Sequence, residues 1–155
     1  MTVSFNSPVT GIALTGLTSP THTLTADTPP DSNAKQYVIT TLGGTQTNVR
    51  THTVSDPFSI TVFKPKSPKA LPKKNPITGA YGPIPKNTYT VVVRKGVYVD
   101  SNQTLDQLTV RLSMDVPAGA DSADSINIRS ALSMLFGVMS AEPNDIGDLL
   151  VTGVL

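Results

Sequence analysis

In residues 104–139 the apolar positions recur first with one spacing and then, directly after it, with another. From Leu108 to Val116 every second residue is apolar, and polar residues stand between them. This alternation predicts a strand with one face toward solvent. Beyond a turn at residues 117–121, the apolar positions follow helical spacing: Ile128, Leu132, Leu135 and Met139. A strand with one polar face therefore leads into an amphipathic helix that needs an apolar partner.

Shorter runs before this point predict further strands. The whole set of predicted strands is residues 9–17, 21–26, 35–42, 45–54, 59–64, 87–95 and 104–116. The first two form an N-terminal hairpin with little apolar surface of its own, so it should lie against something larger. Gly43-Gly44 is a strong signal for a second hairpin. Residues 96–103 are predicted to be a loop with a short extended run at residues 97–99.

The alternation also predicts which side chains share a face. If Asp56 and Pro57 form a two-residue turn, the strands on either side of it are in register. The facing pairs are then Val54 with Ser59, His52 with Thr61 and Arg50 with Phe63. One face shows Arg50, His52, Ser59 and Thr61, and the other shows Ile60 and Val62. A slip of one residue would reverse the side of Arg50 and His52.

In the next strand, residues 87–95, the same alternation separates two sets of side chains. Tyr89, Val91 and Val93 lie on one face, and Thr90, Val92 and Arg94 lie on the other.

The C-terminal part is predicted to be helical over residues 121–150. Asp121 or Asp124 can cap the first helix, and Pro143 ends it or opens a second one over residues 144–150. Strands followed by helices indicate an α+β fold. We therefore predict one domain over residues 1–155, in three parts. These are an N-terminal hairpin and loop (1–34), a five-stranded antiparallel sheet (35–116) and two C-terminal helices (121–150).

Charge is unevenly distributed, although the net charge is only +1. Residues 57–99 contain eight basic residues and no acid, whereas eight of the 11 acids follow residue 99. Residues 65–86 hold six prolines and five lysines, which predicts a long loop. Such asymmetry favours a polyanionic partner on one side of the protein. The alternative is a flexible loop that the lysines keep soluble.

Little in the sequence supports catalysis. There is no cysteine, and the two histidines, His22 and His52, lie on different predicted strands without an acid at triad or ligand spacing. Nucleophile, metal and phosphate-loop motifs are missing from the sequence. We therefore expect no enzyme, no cofactor and no metal site. Because no signal-like or membrane-length apolar run occurs, we expect a protein that is made in the cytoplasm and has no membrane partner.

Three stretches together resemble the coat proteins of single-stranded RNA bacteriophages. They are the run from Arg111 through Val116-Pro117 to Asp121, the helix segment Asn127-Ile-Arg-Ser-Ala-Leu, and the closing Leu150-Val-Thr-Gly-Val-Leu. The order of hairpin, sheet and helices is also similar. The resemblance implies dimers with helices interlocked across the pair, an icosahedral shell around the genome, and a location in the virion. It also implies that residues 96–104 form the loop around symmetry axes.

The resemblance further implies that the inner sheet face binds genomic RNA, including an RNA hairpin through which the protein represses replicase translation. Combined with the polar positions above, it predicts these RNA-binding residues: Arg50, His52, Ser59, Thr61, Thr90, Arg94, Thr109, Arg111 and Ser113. Thr109 stands where the best-known members carry a base-stacking aromatic residue. Two alternatives are a cellular module that binds single-stranded nucleic acid and an adhesion or pilus-type subunit.

Overall fold

One antiparallel sheet organises the computed structural model, which describes residues 3–100 and 102–155. Its six strands are neighbours in chain order. They are β1 (Val9–Thr10), β2 (Thr18–Asp27), β3 (Ala34–Thr45), β4 (Phe58–Phe63), β5 (Lys86–Tyr98) and β6 (Leu105–Pro117). Three helices follow: α1 (Ala120–Ala123), α2 (Ser125–Ala141) and α3 (Pro143–Thr152). The predicted α+β class is confirmed. The sheet has one strand more than the five-stranded sheet that we predicted, because both strands of the N-terminal hairpin, β1 and β2, join it and the predicted strand 45–54 does not form.

The long hairpin of β5 and β6 confirms the alternation of residues 108–116. Its register runs without interruption from Lys86 opposite Pro117 to Tyr98 opposite Leu105. The predicted loop at residues 96–103 is therefore too long, because Gly96 still pairs with Gln107. The connection covers residues 99–104, of which residue 101 lies outside the described part.

The hairpin predicted at Gly43-Gly44 is wrong, because β3 continues through both glycines to Thr45. A side chain on Gly43 would overlap the hydroxyl of Thr21, and one on Gly44 would overlap the backbone of Ser19. Gly44 also has a φ of 71°. The two glycines thus allow β2, which is bulged at this point, to approach β3 closely.

The strand predicted at residues 45–54 is also wrong, since residues 46–57 form a loop. As a consequence, β4 pairs with β3 and not with the predicted strand: Ser59 lies opposite Val38, and Thr61 lies opposite Gln36. Residues 46–54 are polar at nearly every position and lack the alternation that stabilises a half-buried strand.

The helices differ from the prediction at their beginnings. Asp124 lies at the N-cap position of α2, but it makes no side-chain capping bond. Both of its carboxylate oxygens instead accept from the side-chain nitrogen Nδ2 of Asn127, at 2.8 Å. Asp121 does not cap α1 either, because Gly119 occupies that position. Both capping predictions are wrong. Pro143 opens the second predicted helix as its first residue.

The buried apolar core of the described chain is small. It comprises Val38, Ile39, Val92 and Ala118. All residues of α2 and α3 are described, and none of them is buried. No helix among the described residues is long and apolar enough to cross a membrane. The helices therefore carry apolar surface that this chain alone does not cover.

Candidate nucleic-acid interface

The strand register assigns hydrogen-bonding side chains to one side of the sheet, here called the polar face. Partners in neighbouring strands project to the same side, so the face can be followed from β3 to β6. Its members include Gln36, Val38, Ser59, Thr61, Phe63, Thr88, Thr90, Val92, Arg94, Gln107, Thr109, Arg111, Ser113 and Asp115. The opposite side, here called the apolar face, includes Ile60, Val62, Val91, Val93, Leu108, Val110 and Leu112.

Five of the predicted RNA-binding residues come together on β5 and β6. Arg94 lies opposite Thr109, and Thr90 lies opposite Ser113. Arg111 lies opposite Val92, one row away from Arg94. The three residues on β6 are exposed, and the two on β5 are half-buried. The side chain of Arg111 makes neither an ion pair nor a hydrogen bond within residues 3–100 and 102–155.

Ser59 and Thr61 lie on the same face but are buried, with 4% and 0% of their surface exposed. The hydroxyl of Thr61 donates to Oε1 of Gln36 at 3.0 Å and accepts from a guanidinium nitrogen of Arg94 at 3.3 Å. These longer side chains on the neighbouring strands therefore extend over the Thr61 hydroxyl.

The predicted pairs of Arg50 with Phe63 and of His52 with Thr61 are wrong, because Arg50 and His52 lie in the loop 46–57. Arg50 pairs with the carboxylate of Asp56, donates to the carbonyl oxygen of Gly96 at 2.9 Å, and stacks over the ring of Tyr98 at 3.9 Å. Its guanidinium thus fastens the loop to the end of β5. This contact depends on residues distant in sequence, which a local pattern does not reveal.

His52 forms hydrogen bonds with the backbone of two neighbouring strands. Its amide donates to the carbonyl oxygen of Ile39 at 2.9 Å, and its ring Nδ1 accepts from the amide of Phe58 at 3.0 Å. One ring nitrogen is therefore already used as an acceptor, which leaves Nε2 for any further partner.

Asp56 is buried, with 6% of its surface exposed, and it receives a second cation, Lys95, at 3.1 Å. Burial alone would raise the pKa of Asp56, but hydrogen bonds from Arg50 and Lys95 outweigh it and hold the pKa below its ordinary value. Lys95 lies on the apolar face opposite Leu108. Asp56 therefore neutralises a charge that the apolar face would otherwise carry.

Two residues of the polar face were missed by the sequence analysis. Gln36 was missed because β3 was given the wrong neighbour, although its position in an alternating strand could have located it. Phe63, half-buried at the end of β4 and opposite Thr90, puts an aromatic ring on the polar face. The predicted pairing with Arg50 concealed this role.

The proline- and lysine-rich loop is fastened to the sheet at several points. The side chain of Asn87 exchanges two hydrogen bonds with the backbone of Lys69, at 2.7 and 2.9 Å. Leu71 lies against Gly119, and Lys66 forms an ion pair with Asp31. Lys66 is consequently partly neutralised, whereas Lys73 remains exposed.

Large apolar side chains are exposed on the apolar face and on α2. On β6, Leu108 and Val110 are 44% and 51% exposed. On α2, Met134, Phe136 and Val138 are 73%, 56% and 51% exposed. Two surfaces with several large, exposed apolar side chains on one small chain are typical of a protein that associates with further copies or partners.

A metal centre has no basis in the described residues, where no group of three or more His, Asp or Glu side chains could hold an ion.

Among solved structures, the chain is similar to the virus-like particle of bacteriophage ESE020. The identity is 47%, the TM-score is 0.95, and the match covers 99% of this chain and 100% of the other. The virus-like particle of Wenzhou levi-like virus 4 is matched at 15% identity over 77% of this chain and 66% of the other. Its TM-score of 0.44 is too low to support a shared fold. No protein-family model matches the sequence, and no curated protein is significantly similar to it.

The chain is a structural protein of a capsid. Two findings define this class: the full-length similarity, and a fold with a two-faced sheet and uncovered helices. The chain belongs to the family of coat proteins of single-stranded RNA bacteriophages. The resemblance stated from residues 111–155 is thereby confirmed.

Proposed function

We propose that this coat protein forms interlocked dimers, that the dimers assemble into a closed icosahedral shell in the virion, and that the polar face binds the genomic RNA inside it. The observation that supports this most strongly is the division of one sheet into two unlike faces. The apolar face lacks a cover from its own helices, and the polar face carries the exposed side chain of Arg111, which has no partner among residues 3–100 and 102–155.

The apolar face and α2 complement each other, but in one chain both stay exposed. In a symmetric pair, α2 of one protomer can cover the apolar face of the other, and the reverse contact is made at the same time. Covering apolar surface contributes about 25 cal/mol per Å². Val110 and Phe136, both more than half exposed in the single chain, would then be buried.

The edge strand β6 supports the same arrangement. It is the last strand of the sheet and has 13 residues. A long edge strand presents unpaired backbone groups and readily accepts another strand. Antiparallel pairing with β6 of the partner protomer would join the two sheets. It would also make one continuous polar face, with Arg111 of both chains near its centre.

RNA is the ligand that suits this polar face. Arg94 and Arg111 can neutralise phosphates, and the hydroxyls of Thr90, Thr109 and Ser113 can donate to phosphate oxygens or to bases. A specific RNA hairpin that represses replicase translation, as the resemblance implies, would bind on this same face. Synthesis in the host cytoplasm agrees with such a role.

Arg111→Ala tests the RNA part of the proposal, with Arg129→Ala as its control. Both variants remove one exposed arginine, but Arg129 lies on α2 and not on a strand of the polar face. Binding of a short labelled single-stranded RNA is measured over a range of salt concentrations. For a single strand, each phosphate that the protein neutralises adds about 0.7 to the steepness of log K against log salt. Arg111→Ala should therefore make the slope shallower, and Arg129→Ala should leave it unchanged.

Equal slopes for wild type and Arg111→Ala would contradict RNA binding at this face. Negative-stain microscopy of the purified wild-type protein tests the shell separately. Closed particles are expected, whereas a protein that stays monomeric or dimeric at all concentrations would contradict the assembly and favour a cellular nucleic-acid-binding module.

A further inference from the structure

A chain of hydrogen bonds crosses four strands of the polar face. Arg94 on β5 donates to the hydroxyl of Thr61 on β4, which donates to Oε1 of Gln36 on β3. The amide nitrogen of Gln36 then donates to the carboxylate of Asp27 on β2, at 2.7 Å. Four side chains from four neighbouring strands are thus connected in one line, which is here called the relay.

The two charged ends fix the direction of the relay. A guanidinium can only donate, so the oxygen of Thr61 must accept from Arg94. An ionised carboxylate can only accept, so Gln36 must turn its amide nitrogen toward Asp27 and its oxygen toward Thr61. The carboxylate of Asp27 thus sets the orientation of the Gln36 amide, and the Thr61 hydroxyl donates to the Gln36 oxygen that this orientation presents.

The ionisation of Asp27 agrees with this order. A hydrogen bond from Gln36 lowers the pKa of Asp27 from its ordinary value, so the carboxylate remains charged near neutral pH.

The relay and the burial of Thr61 together close its hydroxyl to a ligand. Its surface is 0% exposed, and its hydroxyl already has one acceptor and one donor. A ligand on the polar face therefore meets Arg94 and not Thr61. The guanidinium has five N–H donors, and the contact with Thr61 uses one of them.

We propose that Asp27, Gln36 and Thr61 are positioning residues, which hold the guanidinium of Arg94 in place to bind a phosphate of single-stranded RNA. Arg94 and Arg111 are diagonal neighbours on β5 and β6, and such positions are about 7–8 Å apart. A free arginine loses side-chain entropy when it is immobilised by a ligand, whereas a guanidinium already held by the relay loses less. The inference rests on the proposed RNA binding at the polar face.

Thr61→Val tests the relay, because it keeps the shape of the side chain and removes the hydroxyl. Binding of a short labelled single-stranded RNA at moderate salt should weaken about fivefold, the usual effect of losing one such hydrogen bond. Thr61→Ser retains the hydroxyl and should restore wild-type affinity. Gln36→Met breaks the relay at a less buried position and should act like Thr61→Val, which provides a second test if Thr61→Val folds poorly.

A double-mutant cycle separates positioning from general damage to the fold. In an Arg94→Ala background Thr61→Val should have no further effect on RNA affinity, because the group it positions is gone. In an Arg111→Ala background its effect should remain about fivefold. Equal effects in both backgrounds, or wild-type affinity of both Thr61→Val and Gln36→Met, would overturn the relay. If Arg94→Ala and Arg111→Ala both left RNA affinity unchanged, the proposed function itself would fail.

Discussion

The two faces of the sheet are built from the same strands, yet their side chains find partners in different ways. On the polar face, the buried hydroxyl of Thr61 is paired within the chain, with Gln36 and Arg94. On the apolar face, Val110 and its neighbours stay half exposed, and their own helices do not cover them. Hydrogen bonds can be completed between adjacent strands, but apolar burial needs a second layer. The polar face is therefore largely completed in one chain, whereas the apolar face needs a second layer that this chain's own helices do not supply.

The strongest test of this contrast compares adjacent residues of β6. Val110→Glu puts a carboxylate on the apolar face, where burial of an unpaired charge costs several kcal/mol. We expect this variant to lose particle formation and to elute as a monomer or an aggregate in size-exclusion chromatography.

Thr109→Glu is the matched control, because it introduces the same group on the polar face of the same strand. It should still form particles, although with less RNA, because its charge repels phosphates. Intact particles from Val110→Glu would show that the apolar face is not the dimer interface.

A smaller effect is expected from Asp56→Asn, which removes the partner of Lys95 on the apolar face. The amide cannot neutralise Lys95 and Arg50, so the free energy of unfolding should fall by roughly 2–3 kcal/mol. Denaturant titration of the dissociated protein measures this change. Asp106→Asn, an exposed carboxylate on β6, is the control and should change stability by less than about 0.5 kcal/mol.

The same pair predicts an acid effect with a definite sign. Because the pKa of Asp56 in the folded protein lies below its ordinary value of 3.8, its contribution is complete above about pH 4. It is lost as the pH falls through the lowered pKa. Wild-type stability should therefore decline below about pH 4 more steeply than that of Asp56→Asn. Parallel pH profiles would contradict a stabilising role of this carboxylate.

The smallest expected effect concerns the aromatic ring on the polar face. Phe63→Leu should weaken RNA binding by about 1 kcal/mol if an unpaired base stacks on the ring, and this loss should be independent of salt. Phe63→Tyr retains the ring and should bind as the wild type does. An affinity of Phe63→Leu equal to that of Phe63→Tyr would limit the polar face to phosphate and hydroxyl contacts.

Residues 46–57 explain why part of the site could not be predicted. A two-residue turn at Asp56 and Pro57 would have put Arg50 and His52 on the polar face. Arg50 instead binds Asp56, Gly96 and Tyr98, of which the last two lie more than 40 residues further along the chain. Contacts of one side chain with distant segments leave no periodic signal in the sequence, so the pattern favoured a strand that does not form.

The sequence by itself determined the alternation of β5 and β6, the helices that follow, and the side of the sheet on which Thr90, Arg94, Thr109, Arg111 and Ser113 lie. Those features depend on a two-residue period, which is set by the local geometry of an extended chain. Only the tertiary structure decided that β4 lies beside β3, that Thr61 is buried under its neighbours, and that Arg50 belongs to a loop. These depend on which distant segments meet, and that is decided by the sum of packing and pairing over the whole sheet.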